Sequence, residues 1–397
     1  MARSSRFVLM LCAVMALASA NRAASADDRP VPPAYASMYD TLHRALDQAS
    51  AQWPGGATGH KPVYSTDLLV ANSNRGEALL LPETLGAVRV SLDHFRDMGI
   101  GSVKFALQYP MLKPGFPHAD AYLAFYKSVV QEAHARGIKV MPHLSVLFAD
   151  TPFSSFKDIY KGLDFATFKR EYAAMVQLVA RELHPDYLTL LTEPDTHARL
   201  TGLTDLSAPD RFAEVISAAL EGLPREGIKV GAGSGSWSGP RYAEALAGTG
   251  LDYICIHIYP VNAKIMANAK AMAGIAHAHG KAVVIDEAWL YKTDERDGGD
   301  SVARASGVFR RDAWSFWQPL DLQFMDMVDS FARHEDVSLV SFFWSNLFFA
   351  TLDYTPALET QPYQQVTRQL NRQSWQAMQD GHLSPIGAHY TSLIASP

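Results

Sequence analysis

Two glutamates stand where an apolar run gives out. Glu193 follows Leu188-Thr189-Leu190-Leu191-Thr192, and Glu287 follows Val283-Val284-Ile285-Asp286. A carboxylate at the tip of an apolar strand is costly unless it is paired or put to work. Two that face each other suit cleavage of a glycosidic bond. One carboxyl group protonates the leaving oxygen, and the other attacks the anomeric carbon from the opposite face. Water then resolves the glycosyl ester, with the first group acting as base. A lone strand-end glutamate is as easily a surface salt bridge. That reading loses force here, because Asn72, Gln108, His143, Trp237, His257, Tyr259 and Trp344 also fall just past apolar runs.

The elements that must position these residues follow from the hydrophobic pattern. Short β-rich runs fall at 63–71, 103–107, 139–147, 187–191, 228–232, 253–258, 282–285 and 339–343. Stretches with helical spacing lie between them; the clearest carries Phe165, Phe168, Tyr172, Met175 and Val179 on one stripe. A lead-in at 27–60 holds one further helix, from about Tyr39 to Gln52, stopped by Trp53-Pro54-Gly55-Gly56. The stretch 363–379 is expected to supply the last barrel helix. Strands apolar on both faces and separated by helices imply a covered parallel sheet. Eight such units predict an α/β fold, a single (β/α)8 TIM barrel occupying 61–397. An open doubly wound sheet would place a glycine-rich phosphate turn after an early strand. Here the first run is followed by Ala71-Asn72-Ser73-Asn74-Arg75-Gly76, which is no such turn. In a barrel the site gathers at the C-terminal ends of the strands, and strands four and seven sit nearly across the mouth. The polar, glycine-containing stretch 291–308 reads as a long loop over that mouth.

Thr192-Glu193-Pro194, His257-Ile258-Tyr259-Pro260, Ile285-Asp286-Glu287 and Phe343-Trp344 resemble the strand four, six, seven and eight signatures of the clan A glycoside hydrolases, a superfamily that includes cellulases, β-mannanases and β-1,4-galactanases. The resemblance covers the chain from about residue 60 to its end. It implies a retaining hydrolase acting on a β-linked glycan, with Glu193 as acid/base and Glu287 as nucleophile. It implies that Tyr259 hydrogen-bonds the nucleophile, that His257 and His143 shape the sugar site, and that Trp344 floors a subsite. Two positions depart from the pattern. Thr192 stands where most members carry an asparagine that binds the sugar 2-hydroxyl. Lys104 is the nearest cation where strand two often ends in an arginine supporting the nucleophile, and it serves only if its side chain points inward. Thr192 keeps open an alternative, a sugar-binding barrel with impaired catalysis.

Trp237, Trp289, Trp344 and Tyr109 have two readings, as platforms for sugar rings or as packing. Asn72 and Thr192 complete the expected sugar contacts. No metal or other cofactor is expected. His277-Ala278-His279 falls near a helix end, where residues two apart point to different sides, and the chain holds neither a cysteine cluster nor a His-Glu-x-x-His motif. Residues 1–26 read as a signal peptide: Arg3 and Arg6, an apolar run from Phe7, then Ala24-Ser25-Ala26. That run falls short of the roughly 20 residues needed to cross a bilayer. A secreted or periplasmic, monomeric protein is expected. Loss of Arg3, Arg6 and Arg22 moves the formal charge from −6 further negative. Such a charge argues against nucleic acid or an anionic membrane as partner and leaves a carbohydrate substrate. Of two cysteines, Cys12 leaves with the signal, and Cys255 sits in an apolar strand as a small buried hydrophobe.

Overall fold

The computed structural model describes residues 30–54, 60–259, 261–293, 297 and 302–397. The signal peptide expected at 1–26, Gly55-Gly56, Pro260 and parts of the stretch 291–308 lie outside the described residues. Eight parallel strands close into a barrel: β1 Val63–Asp67, β2 Ser102–Tyr109, β3 Lys139–Val146, β4 Tyr187–Thr189, β5 Lys229–Gly235, β6 Tyr253–Ile258, β7 Ala282–Ala288 and β8 Val337–Phe342. β8 pairs back onto β1, with Val63 opposite Leu339, so the sheet has no edge.

The strand pattern explains the two cores. Successive side chains alternate between the barrel axis and the surrounding helices. In β2, Val103, Phe105 and Leu107 face outward into the main core, and Lys104 lies between them on the axis side. The axis is plugged by a second cluster, Met141, Tyr187, Tyr253, Cys255, Val284 and Leu339. Cys255 is fully buried there, as a small apolar residue. Gly231 makes room for this plug, since a Cβ at that position would lie 2.0 Å from the Tyr253 ring.

The lead-in helix Ala36–Ser50 packs against helices Ala263–Ala278 and Gln318–His334. Trp53 follows it and donates its indole N–H to Glu335 Oε1 at 3.1 Å. No described helix is long and apolar enough to cross a membrane.

The chain departs from the sequence expectation in three places. The first strand stops at Asp67 and is followed by 3-10 turns at Leu69–Ala71 and Ser73–Leu80. Part of the expected loop 291–308 is helical: Val302–Arg311 forms a helix that buries Val308. The last barrel helix is Pro385–Ala395, not 363–379. It packs against Gln318–His334, and Tyr390 donates to the carbonyl of Ser65 in β1 at 2.7 Å. Helix Tyr363–Gln379 instead lies over the barrel mouth, with Val366, Leu370, Ser374 and Met378 buried. Along it Gln364, the adjacent pair Thr367 and Arg368, Asn371 and Trp375, on successive turns of one face, line the cleft below.

Candidate active site

A cleft of ≈ 1000 Å³ opens at the C-terminal ends of the strands. It collects Asn72, Lys104, Gln108, His143, Thr192, Glu193, Trp237, His257, Tyr259, Glu287 and Trp344 of the residues singled out in the sequence. Two do not line it: Tyr109 is buried and donates its hydroxyl to Glu171 Oε2 at 2.6 Å, and Trp289 is only 1% exposed. Trp289 packs beside the buried Lys292, whose Nζ lies 5.0 Å from the centre of the Trp289 ring. The cause is its place next to Ala288, the last residue of β7, from which the chain turns back into the core.

Glu287 reaches the cleft through a break in strand register. Between Cys255/Val284 and His257/Glu287, β6 advances two residues while β7 advances three. The ladder with β8 shows the same surplus between Ile285/Val340 and Ala288/Phe342. Such a bulge turns the side chains that follow it. Strict alternation would send Glu287 away from Val284 and Asp286, yet both Asp286 and Glu287 meet partners on the axis side.

The partners of Glu287 hold it as an anion. Lys104 donates to Oε2 and the Tyr259 hydroxyl donates to Oε1. Lys104 also lies 2.9 Å from Asp67 Oδ2, so one buried ammonium serves two carboxylates. Burial opposes the charge on Glu287, but the Lys104 and His257 cations outweigh it and keep the carboxyl below its usual range. Asp67 shows the opposite balance. Burial dominates despite Lys104, and its carboxyl is pushed up to about 7.

Glu193 is placed by its backbone. It has φ 46° and ψ 62°, the left-handed region that non-glycine residues rarely adopt. A residue there costs on the order of 1–3 kcal/mol, and such residues concentrate at working sites. Pro194 then opens helix Pro194–Thr201. One oxygen of Glu193, Oε1, is 2.8 Å from His257 Nδ1. The other ring nitrogen of His257 faces Asp286 Oδ1 at 3.1 Å. Burial works against a charged imidazole, but Asp286 and Glu287 prevail and raise its pKa to about 10. A carboxylate oxygen of Glu193, a ring nitrogen of His257 and a carboxylate oxygen of Glu287 all lie within 4.8 Å of one another.

Around this centre, Thr192 Oγ1 is 2.7 Å from His143 Nε2. Burial and the neighbouring Lys104 and His257 hold His143 well below the usual histidine pKa, as a neutral ring. The Trp237 indole donates to Asp195 Oδ2 at 2.9 Å. Gly235 permits this fold-back, since a Cβ there would lie 2.2 Å from the Trp237 ring. Asn72 accepts from the Asn74 amide at 2.9 Å, which shapes the turn after β1. Trp344 stacks edge-on against Phe309 and Phe343.

Two donor sets are compact enough for a metal, His143 with His257 and Asp286, and Glu193 with His257 and Glu287. Both depend on His257. Its two ring nitrogens already face carboxylates, Nδ1 toward Glu193 Oε1 at 2.8 Å and Nε2 toward Asp286 Oδ1 at 3.1 Å. The cationic charge of the centre comes from Lys104 and His257.

Several residues of the site escaped sequence reasoning. Asp67 was absorbed into a strand drawn to Ala71, although an aspartate inside an apolar run was itself the signal. Asp286 has no role assigned in the sequence, because a bulge leaves no mark in the pattern. Trp375, exposed in the cleft wall, and Asn371 were hidden in a helix assigned to the barrel's outer ring.

No protein-family model matches the chain, and comparison with curated proteins finds no match. Solved structures are similar to it at low identity. An exo-β-1,4-mannosidase from an Opitutaceae bacterium shares 14% identity at a TM-score of 0.47, over 80% of this chain and 60% of that one. The chain therefore spans less than two thirds of that mannosidase. A GH30 endoxylanase from Clostridium papyrosolvens shares 12% at 0.43, over 73% of this chain and 67% of that one. A variant of an endo-β-1,4-glucanase from Xanthomonas axonopodis pv. citri shares 14% at 0.44, over 77% of this chain and 90% of that one. The fold of this chain stands on its own closed strand order, and the chemistry of its site on the distances above.

Proposed function

We propose that this protein is a retaining glycoside hydrolase that cleaves a β-linked oligo- or polysaccharide, with Glu193 as acid/base and Glu287 as nucleophile. The observation that carries this reading is the approach of the two carboxylates within 4.8 Å, in one cleft and in unlike surroundings. Double displacement uses carboxyl groups about 5–5.5 Å apart, whereas inversion needs about 6.5–9.5 Å to admit a water. Glu287 has a donor on each oxygen and a lowered pKa, which suits an ionised nucleophile. Glu193 has Oε1 committed to His257, which leaves Oε2 to carry the proton to the leaving oxygen. After attack, Glu193 returns as the base that activates water. The N-terminal segment, read as an export signal, supports a substrate outside the cytoplasm.

Glu287→Ala should lower turnover of aryl β-glycosides by on the order of 10⁴-fold or more. Glu193→Ala should spare substrates with good leaving groups, slow natural glycans by about 10²–10⁴-fold, and be partly rescued by azide. Near-native turnover by either variant on an unactivated glycan would remove the assignment. One observation favours a second reading, sugar binding without turnover. The Thr192 hydroxyl already pairs with His143, and the side chain is shorter than the asparagine expected to grip a sugar hydroxyl. Tight binding of an oligosaccharide that wild-type protein leaves intact over days would select it.

A further inference from the structure

The walls of the cleft carry a charge pattern that hydrolysis of a neutral glycan does not require. The chain has a formal charge of −6, yet Arg75, Arg199 and Arg368 all line the cleft. All three are exposed, and none of their guanidinium groups has an ion pair or hydrogen bond among the described residues. Among the described residues the carboxylates lining the cleft are Asp67, Glu193, Asp195 and Glu287. Each already has a partner: Lys104, His257, the Trp237 indole, and Lys104 with Tyr259. Each of these acids thus meets a donor, whereas the three guanidinium groups meet no acceptor among the described residues.

Their placement forms an arc. Arg368 lies on the helix after β8, Arg75 on the turn after β1 and Arg199 on the helix after β4. The loop after β3 ties the first two elements together: Asn74 Oδ1 accepts from the Phe148 amide at 2.9 Å, and Gln364 donates to the Pro152 carbonyl at 3.3 Å. The opposite half of the rim is aromatic, with Trp237 after β5 and Tyr259 after β6. Desolvation by the cleft walls around Arg75 pushes its pKa down, and no carboxylate among the described residues acts on it in return. An arginine held in a recess without a carboxylate is poised to accept one from a ligand. Its planar fork matches a carboxylate bidentately.

We infer that the cleft binds an acidic glycan, with Arg75, Arg199 and Arg368 receiving the carboxylates of uronic acid units beside the bond that is cut. The inference rests on the glycosidase reading for the ligand being a sugar, but its test is separate. Calorimetry on Glu287→Gln, which binds without turning over, would compare matched oligosaccharides differing only at C6. The pairs are cello-oligosaccharides against β-1,4-glucuronan oligomers, and β-1,4-mannan oligomers against β-1,4-mannuronan oligomers, with a 6-sulfated cello-oligosaccharide as a further arm. The uronate of at least one pair should bind about tenfold or more tightly than its neutral partner, an advantage that shrinks with salt. Adding Arg368→Gln or Arg75→Gln should reduce that advantage several-fold. Arg89→Gln, on a surface arginine paired with Glu132, should preserve it.

Equal affinity within both pairs, or no binding of either uronate, would overturn the inference. A gain for the sulfate alone would overturn the carboxylate assignment. The two readings fail separately. Arginine-dependent uronate binding with no cleavage by wild-type protein would sink the hydrolase and keep the acidic subsite. Cleavage of neutral glycans with no uronate preference would do the reverse.

Discussion

Lys104→Met probes the centre most sharply, because the ammonium is buried between two carboxylates. Its Nζ lies 2.9 Å from Asp67 Oδ2 and contacts Glu287 Oε2, and the Lys104 and Asp67 side chains are each 1% exposed. Unit charges 2.9 Å apart attract by about 6 kcal/mol at an effective dielectric near 20. Desolvation of the charged groups offsets much of that. Removing the cation alone leaves two buried carboxylates facing each other, which costs about 3–5 kcal/mol near neutral pH. Protonation relieves the cost, so the effect depends on pH. Without Lys104 the folded-state pKa of Glu287 moves from below its ordinary value to above it. A carboxyl group raised in the fold contributes stability at low pH and loses it as pH rises through the folded value. Thermal melts should therefore show a larger deficit for the variant at pH 8 than at pH 5. The acidic limb of kcat/KM, which reports Glu287, should move up by at least about one unit, or roughly 1.4 kcal/mol. An equal deficit at both pH values with an unmoved acidic limb would refute the pairing.

Tyr259→Phe removes a donor from Glu287 Oε1 and should lower kcat by about 10–100-fold with little change in KM; an unchanged kcat would dissociate the hydroxyl from the nucleophile. His257 has its pKa raised to about 10, so its charged contacts stabilise the fold fully below about pH 6.5 and lose that effect as pH rises toward 10. The stability deficit of His257→Gln, measured by melts at pH 6, 8 and 10, should therefore shrink with rising pH; a constant deficit would mean a neutral ring. Gly235→Ala would put a Cβ 2.2 Å from the Trp237 ring. It should cost about 1–3 kcal/mol of stability and raise KM for oligosaccharides several-fold, with kcat on a short aryl glycoside much less affected.

The barrel was legible because eight apolar runs separated by helical stripes admit few closed parallel arrangements. Glu193 was legible from Thr192-Glu193-Pro194 at the end of one run, although its left-handed backbone was not. The inward direction of Lys104 depends on strand phase, and only pairing with β1 and β3 settles it. Asp286 and Glu287 share the axis side because of a bulge, which depends on neighbouring strands and not on the local sequence. Trp289 follows the same pattern as Trp344, yet one turns into the core and the other lines the cleft. A local signal for helix Pro385–Ala395 was present but unused: Ser384 caps it by accepting from the Gly387 amide, and Pro385 opens it. The stretch 363–379 matched a barrel helix in its apolar stripe, and nothing in that stripe reveals that its polar side faces a cleft.

The central claim is that Glu287 forms a covalent bond to the sugar. The most direct measurement is the intact mass of the protein after reaction with a 2-deoxy-2-fluoro β-glycoside bearing a good leaving group, followed by mapping of the labelled peptide. The account predicts one sugar adduct per chain, located on Glu287 and missing in Glu287→Gln. A substrate that turns over with inversion of configuration and leaves no adduct, or an adduct on another residue, would contradict it.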